Sequence, residues 1–108
     1  MSRVLLAFVV LVSVIACGGS SVSKDERTRA VSMAQAAYAT AKEHGTDFTD
    51  GPCIAEQLQK LPDWSVDVAH DPREDVDNQP TNQCQDYRQG KTHHFVELDP
   101  NGNLIRTH

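Results

Sequence analysis

The sequence predicts an α+β domain, in which helices pack on one face of an antiparallel sheet of three or four strands. Residues 24–44 contain neither glycine nor proline and are rich in alanine, which favours helix. The second half instead has short segments that alternate apolar and polar residues between turn-forming residues, a pattern typical of strands. With 108 residues, the chain has room for a single domain.

The first helix is predicted for residues 24–44. Ser23 is followed three residues later by Glu26, which is the arrangement of a capping box at a helix N-terminus. Gly45 is suited to end the helix. Small apolar residues form one stripe along it, and a flat stripe of this kind favours close packing on a sheet.

A short second helix is predicted just before the first strand. Ile54, Leu58 and Leu61 are spaced at i, i+4 and i+7, which matches one face of a helix. Asp50 is suited to cap its N-terminus, and Pro62 ends the apolar run.

Strands are predicted for Trp64–Ala69, Thr92–Leu98 and Asn103–Thr107, with Cys84–Arg88 as a fourth candidate. The polar residues 70–82 include two prolines and are predicted to lack regular structure. A segment of this length is unusual in a small domain unless it is functional or held in place.

The last two strands are predicted to form a hairpin around the turn at residues 99–102, which has the sequence Asp-Pro-Asn-Gly. A type I turn followed by a glycine bulge sets the register of the hairpin. That register pairs Leu98 with Leu104, Val96 with Arg106, and His94 with His108.

Residues 1–16 are predicted to form an export signal. A single basic residue, Arg3, precedes the apolar run Val4–Ile15. As a helix, that run spans about 18 Å, well short of the roughly 30 Å of hydrocarbon in a bilayer. A cleaved signal segment at residues 1–16 therefore fits better than a membrane-spanning helix.

Residues Val14-Ile15-Ala16-Cys17 resemble the lipobox of bacterial lipoproteins. The resemblance implies that the Cys17 thiol carries a diacylglyceryl lipid with palmitate-type chains, and that cleavage makes Cys17 the first mature residue. No cofactor beyond this covalent lipid is expected. Residues 17–23 would then form a flexible tether and residues 24–108 the folded domain. Gly18 resembles the residue found in lipoproteins that are sorted to an outer membrane. An ordinary cleaved signal with a chance cysteine is the alternative.

Cys53 and Cys84 are predicted to form a disulfide, because two remaining cysteines in an oxidising compartment most simply pair. In the chain-entropy model a bridge closing about 31 residues contributes on the order of 3.5 kcal/mol. A metal-binding thiolate pair and two free thiols are the alternatives.

The charge of the chain is mildly acidic, with a formal net charge of −5. This balance argues against nucleic acid or an anionic membrane surface as an electrostatic partner. The expected partners are the membrane, reached through the lipid, and another protein of the envelope.

His94 and His108 form a candidate metal site, because imidazole is a common metal ligand and the predicted hairpin register places them opposite each other. A closed zinc site needs further ligands, so His70 or an acidic residue of the 70–82 segment would have to join them. The competing interpretation is a solvated pair of histidines near the chain end.

Two further features of the sequence bear on chemistry. The acidic residues of the 70–82 segment could bind Ca²⁺ or simply be solvated; they are Asp71, Glu74, Asp75 and Asp77. Tyr87 and Arg88 could line a cleft with them. Support for catalysis is thin, since the cysteines are expected to be oxidised and no Gly-x-Ser-x-Gly elbow is present.

Three functions follow from these observations. The favoured one is a lipid-anchored protein of the cell envelope, facing the periplasm or the exterior, that acts by binding or scaffolding. The alternatives are a small metal-binding lipoprotein built on His94 and His108, and a small periplasmic enzyme or enzyme inhibitor.

Overall fold

A computed structural model describes residues 22–108. The predicted signal segment, the lipobox and Cys17 lie outside these residues. The described part is α+β, as predicted, with one helix of 20 residues, a four-stranded sheet and a disulfide. The elements are α1 (Lys24–Glu43), β1 (Cys53–Ala55), β2 (Trp64–Val68), two 3₁₀ turns (Asp75–Asn78 and Pro80–Asn82), α2 (Gln85–Arg88), β3 (His94–Leu98) and β4 (Leu104–Thr107).

Helix α1 begins at the capping residue that the sequence indicates. The Ser23 hydroxyl accepts a hydrogen bond from the Glu26 backbone N–H at 3.1 Å. The small residues Ala30 and Ala34 are fully buried, so the helix backbone lies close to the sheet. Among residues 22–108, no helix is both long enough and apolar enough to cross a membrane.

The hydrophobic core lies between α1 and the two central strands. Trp64 and Val66 of β2 and Val96 and Leu98 of β3 are its buried members on the sheet side. They occupy alternate strand positions, so these side chains share one face of the sheet. The residues between them therefore face away from α1.

The sheet is mixed, so the prediction of an antiparallel sheet is wrong. The strand order is β1-β2-β3-β4, and the central pair β2 and β3 runs parallel from Trp64↔His94 to Val68↔Leu98. Both outer pairs are antiparallel. Parallel neighbours need a crossover of a dozen or more residues, and the 69–93 segment is that crossover.

The second helix predicted around Ile54 and Leu61 is not formed. Strand β1 occupies its start and pairs with β2 through Cys53↔Asp67 and Ala55↔Val66. Leu58 and Leu61 form an isolated β-bridge beyond it. Pairing with β2 satisfies the backbone of this short run, whereas Pro62 leaves too few residues for a stable helix.

The 69–93 segment is more ordered than the sequence predicts. It contains both 3₁₀ turns, and Cys84–Arg88, predicted as a strand, instead supplies the short helix α2. The Asp77 carboxylate accepts hydrogen bonds from the backbone N–H groups of His70 and Glu74 at 2.9 and 2.8 Å. These bonds hold the pKa of Asp77 below its usual range, although burial by itself would raise that pKa. Gly51 lies directly beneath this carboxylate, where a Cβ atom would overlap Asp77 Oδ1.

The predicted hairpin forms, with part of its register displaced. Leu98 pairs with Leu104, as predicted. An irregularity between Glu97 and Leu98 then shifts the pairing, so that Val96 lies opposite Thr107 and Glu97 opposite Arg106. The predicted pairs Val96–Arg106 and His94–His108 are therefore wrong, because an extra residue in one strand moves every later partner by one position.

Candidate functional site

An open cleft of about 470 Å³ lies on the side of the sheet that faces away from α1. We call it the sheet cleft. Its size falls in the range of sites for small molecules. Asp67, Phe95 and Glu97 are contributed by the two central strands. Arg106 of β4 and three residues of the crossover, Arg73, Tyr87 and Arg88, also line the cleft.

Glu97 is held by arginines that reach it from two directions. Arg73 Nη1 of the crossover lies 3.3 Å from Glu97 Oε2, and Arg106 Nε of β4 lies 3.3 Å from Glu97 Oε1. The Glu97 side chain is only 7 % exposed. Each of its oxygens thus has a cationic partner, which is what a buried carboxylate requires.

Asp67 lies beside Glu97 and lacks such support. The two residues are register partners on the parallel strands β2 and β3. Asp67 Oδ1 is buried and has no hydrogen-bond partner, and it is the one side-chain atom in this condition among residues 22–108. Burial, followed by the charge of Glu97, raises the pKa of Asp67 to about 7. The group is therefore poised to hold or release a proton near neutral pH.

Aromatic rings form the end of the cleft next to the C-terminus. The rings of Tyr87 and Phe95 meet edge to face with centroids 4.9 Å apart, and His108 stacks on Phe95 at 5.4 Å. The Arg106 guanidinium carbon lies 5.4 Å from the Phe95 ring centroid. These contacts hold the C-terminal residue and Arg106 against the sheet.

The disulfide between Cys53 and Cys84 is present, as predicted, with Cα atoms 4.9 Å apart. It joins β1 to the residue that precedes α2. Glu56 reinforces this connection by accepting hydrogen bonds from the backbone N–H groups of Gln85 and Asp86. The wall of the cleft that carries Tyr87 and Arg88 is thereby fixed to the sheet.

The histidines proposed as metal ligands lie in different surroundings. His94 Nε2 lies 3.6 Å from Asp63 Oδ2, and the His94 ring packs against Trp64. His108 contacts Phe95 and Tyr87, and His70 Nδ1 lies 2.9 Å from Asp77 Oδ1. The displaced hairpin register removes the argument that placed His94 opposite His108.

One group of three candidate metal-ligating side chains, Cys53, Glu56 and Cys84, is found within the described residues. Its ligand atoms all lie within 4.8 Å of one another. The two sulfurs are bonded to each other, so the thiolates that would bind a metal ion are absent while the disulfide is intact.

Tyr87 and Arg88 line the sheet cleft, which the sequence raised only as a possibility, whereas the acidic residues of the 70–82 segment do not. Asp67, Glu97, Arg73 and Arg106 were not foreseen. In the sequence, Asp67 and Glu97 are polar positions in alternating strands, a pattern that normally indicates a solvated face. The signal that the two acidic residues share is a carboxylate one residue before the end of each central strand.

The chain matches no protein-family model, no curated protein and no solved structure.

Proposed function

We propose that this protein is a lipoprotein of the cell envelope that is anchored through lipid on Cys17 and binds a small ligand in the sheet cleft. The observation that carries the binding role is the unpartnered Oδ1 atom of Asp67 in a cleft of about 470 Å³. A buried polar atom without a partner costs free energy, which a ligand that supplies the missing hydrogen bond would recover.

Two independent features support the location. Residues 14–17 resemble a lipobox, and the disulfide between Cys53 and Cys84 is of a kind that persists mainly in oxidising compartments. Two or more acyl chains hold a protein stably at a bilayer, whereas one does not. The tether of residues 17–23 is short, so the domain would remain close to the membrane surface.

Replacing Cys17 with alanine is expected to abolish the anchor. The Cys17→Ala chain has no thiol at that position to receive the lipid, so it should appear in the soluble fraction or persist as an uncleaved precursor. The measurement is fractionation of cells with metabolic labelling by a fatty acid. Ser20→Ala in the tether is the matched control and should stay labelled in the membrane fraction. Unchanged labelling of Cys17→Ala would exclude this cysteine as the lipid site.

Binding is favoured over catalysis by the groups that the cleft presents. Cys84 is held in the disulfide, and the buried hydroxyl of Thr92 is hydrogen-bonded to Ser65 Oγ at 2.7 Å. Neither is therefore free to act as an activated nucleophile. Asp67 presents a carboxyl oxygen without a hydrogen-bond partner, which suits the recognition of a ligand.

A library of small fragments is expected to bind in the sheet cleft more often than elsewhere. The measurement is the change in amide chemical shifts of the isotopically labelled full chain in detergent. Shifts should cluster at Tyr87, Phe95 and Glu97. The groove between α1 and residues 54–60, which includes Thr40 and Gln57, provides the internal control. Hits that shift the control groove and leave the cleft unchanged would contradict a binding role for the cleft.

A further inference from the structure

The charge of the sheet cleft differs from that of the chain. The chain carries a formal net charge of −5, yet three of its six arginines line this cleft against two carboxyl groups. Those arginines come from the crossover and from β4, so the fold gathers them from distant parts of the sequence. A local excess of positive charge in a concave site attracts anions.

The three arginines have different roles. All three kinds of nitrogen in the Arg73 guanidinium are engaged, with Asn78 Oδ1 at 2.7 Å, Glu97 Oε2 at 3.3 Å and the Asp77 carbonyl oxygen at 3.2 Å. Arg73 therefore holds the crossover against the sheet. These bonds use three of its five N–H donors, more than in either of the other two arginines of the cleft.

Arg88 and Arg106 keep donors free. Within residues 22–108, the Arg88 side chain makes no hydrogen bond or ion pair, and Arg106 uses only its Nε atom, on Glu97. The terminal nitrogens of both guanidinium groups are thus unoccupied. Arg88 thus keeps all five donors free and Arg106 keeps four, and both residues line the cleft.

We propose that the sheet cleft binds a small organic oxyanion, a carboxylate or a phosphate ester, through the terminal nitrogens of Arg88 and Arg106. The inference rests on the binding role proposed for the cleft and adds the class of ligand. A planar guanidinium presents paired N–H donors that match the spacing of carboxylate and phosphate oxygens.

Asp67 couples this binding to pH. When it holds a proton, Asp67 removes a negative charge from the cleft and gains an O–H donor. The charged groups that act on it are Glu97 of β3 and, from the crossover, Arg73 and Asp77. An anion is therefore expected to bind more tightly below the pKa of Asp67 than above it.

The experiment compares probes with the same carbon skeleton but different charge: succinate, butanediol and putrescine. Inorganic phosphate is the fourth probe and separates phosphate recognition from carboxylate recognition. Each is titrated into the labelled full chain while the amides of Tyr87, Arg88 and Glu97 are followed. Succinate or phosphate should shift these amides to saturation, and the diol and the diamine should not.

Variants test whether the arginines are responsible. Arg88→Gln should weaken binding of the anion about tenfold, the effect expected for loss of hydrogen bonds to a charged group. Arg88 is exposed and its side chain makes no hydrogen bond or ion pair within residues 22–108, so this variant should fold normally. Arg29→Gln, the same change at an exposed position on α1, is the matched control and should leave binding unchanged.

A pH titration gives a second readout. The affinity for succinate should rise about fivefold as the pH falls through the pKa of Asp67, the size expected for removing one nearby charge. Asp67→Asn should flatten that dependence. An affinity that is independent of pH in the unmodified chain would contradict the role given to Asp67.

The outcomes separate the two proposals. Putrescine or butanediol shifting the cleft amides while both anions fail would overturn the oxyanion and leave the binding role intact. Equal affinity in Arg88→Gln and the unmodified chain would also overturn the oxyanion site. If no probe shifts the cleft amides, the inference is wrong, and the fragment titration then decides whether the cleft binds any ligand.

Discussion

Replacing both Cys53 and Cys84 with alanine is expected to lower the free energy of unfolding by about 3.5 kcal/mol. The bridge joins residues 31 positions apart, and in the chain-entropy model its loss restores the corresponding freedom to the unfolded chain. A domain of this size has a small hydrophobic core, so the loss is a large part of its stability. The measurement is chemical denaturation followed by the fluorescence of Trp64, the single tryptophan, which is 1 % exposed.

Two controls accompany this measurement. Cys17→Ala retains the bridge and should leave the free energy of unfolding unchanged. A maleimide reagent applied to the folded, unreduced chain should not label Cys84. Labelling of Cys84, or a double variant within about 1 kcal/mol of the unmodified chain, would contradict the stabilising role of the bridge.

The loss of the bridge should also reach the sheet cleft. Cys84 immediately precedes α2, and α2 carries Tyr87 and Arg88. Without the disulfide, α2 would be joined to β1 mainly by the hydrogen bonds that Glu56 accepts from Gln85 and Asp86. Stability and the geometry of the cleft are thus linked through one covalent connection.

Apart from the disulfide between Cys53 and Cys84, the parts of the fold that the sequence predicts correctly are those encoded by neighbouring residues. Ser23 and Glu26 are three positions apart, and the capping bond between the Ser23 side chain and the Glu26 backbone forms. The hairpin turn is similar, since Asp99 accepts hydrogen bonds from the backbone N–H groups of Asn101 and Asn103. Such features depend on local chemistry and need no knowledge of the rest of the chain.

The prediction of a helix around Ile54–Leu61 failed because a short apolar run does not distinguish helix from strand. The evidence for it was three apolar residues at helical spacing, a possible N-cap at Asp50 and a proline at the end of the run. The partner that decides the outcome is β2, whose Val66 and Asp67 pair with β1. The disulfide at Cys53 then holds that strand in place.

The sheet cleft could not be predicted because its members are brought together by the crossover. Asp67 and Glu97 are 30 positions apart and become neighbours only when β2 and β3 run parallel. Their alternation with apolar residues indicated a solvated face. The 69–93 crossover packs along that face and forms a wall of the cleft, so that Glu97 becomes buried and Asp67 half-buried. Because β2 and β3 run parallel, a long crossover is needed to join them. The same parallel pairing places Asp67 beside Glu97 in the cleft.

The unmodified chain is expected to lose stability as the pH rises from about 4 to about 7, because of Asp67. Replacing Asp67 with asparagine is expected to remove this pH dependence. The pKa of Asp67 is about 7 in the folded protein, against a reference value of 3.8. Below the lower value the group is protonated in both folded and unfolded chains and has no effect. Between the two values the unfolded chain is ionised but the folded protein still holds the proton, so stability falls as the pH rises. The loss is complete near the higher value, where it reaches about 4 kcal/mol.

Asparagine keeps the shape of the protonated side chain and cannot ionise, so the free energy of unfolding of Asp67→Asn should stay nearly level over this range. Above pH 7 the variant should be more stable than the unmodified chain. The measurement is the midpoint of denaturation, followed by Trp64 fluorescence, at a series of pH values. Asp63→Asn provides the contrast: burial acts to raise the pKa of Asp63, but hydrogen bonds from His93 hold that pKa below its usual value.

Asp63→Asn should therefore lower stability at neutral pH, and this loss should disappear as the pH falls through the lowered pKa of Asp63. At neutral pH, Asp67→Asn should raise stability and Asp63→Asn should lower it. This difference would show that the half-buried Asp67 destabilises the fold, whereas the more exposed Asp63 stabilises it. Two results together would link stability to binding: Asp67→Asn is more stable at high pH, and the unmodified chain binds an oxyanion more weakly above the pKa of Asp67. They would show that the cleft contains a group that destabilises the fold when ionised and favours the ligand when protonated. If Asp67→Asn follows the same pH dependence as the unmodified chain, Asp67 is ionised throughout this range, and its role in the cleft is that of a fixed negative charge.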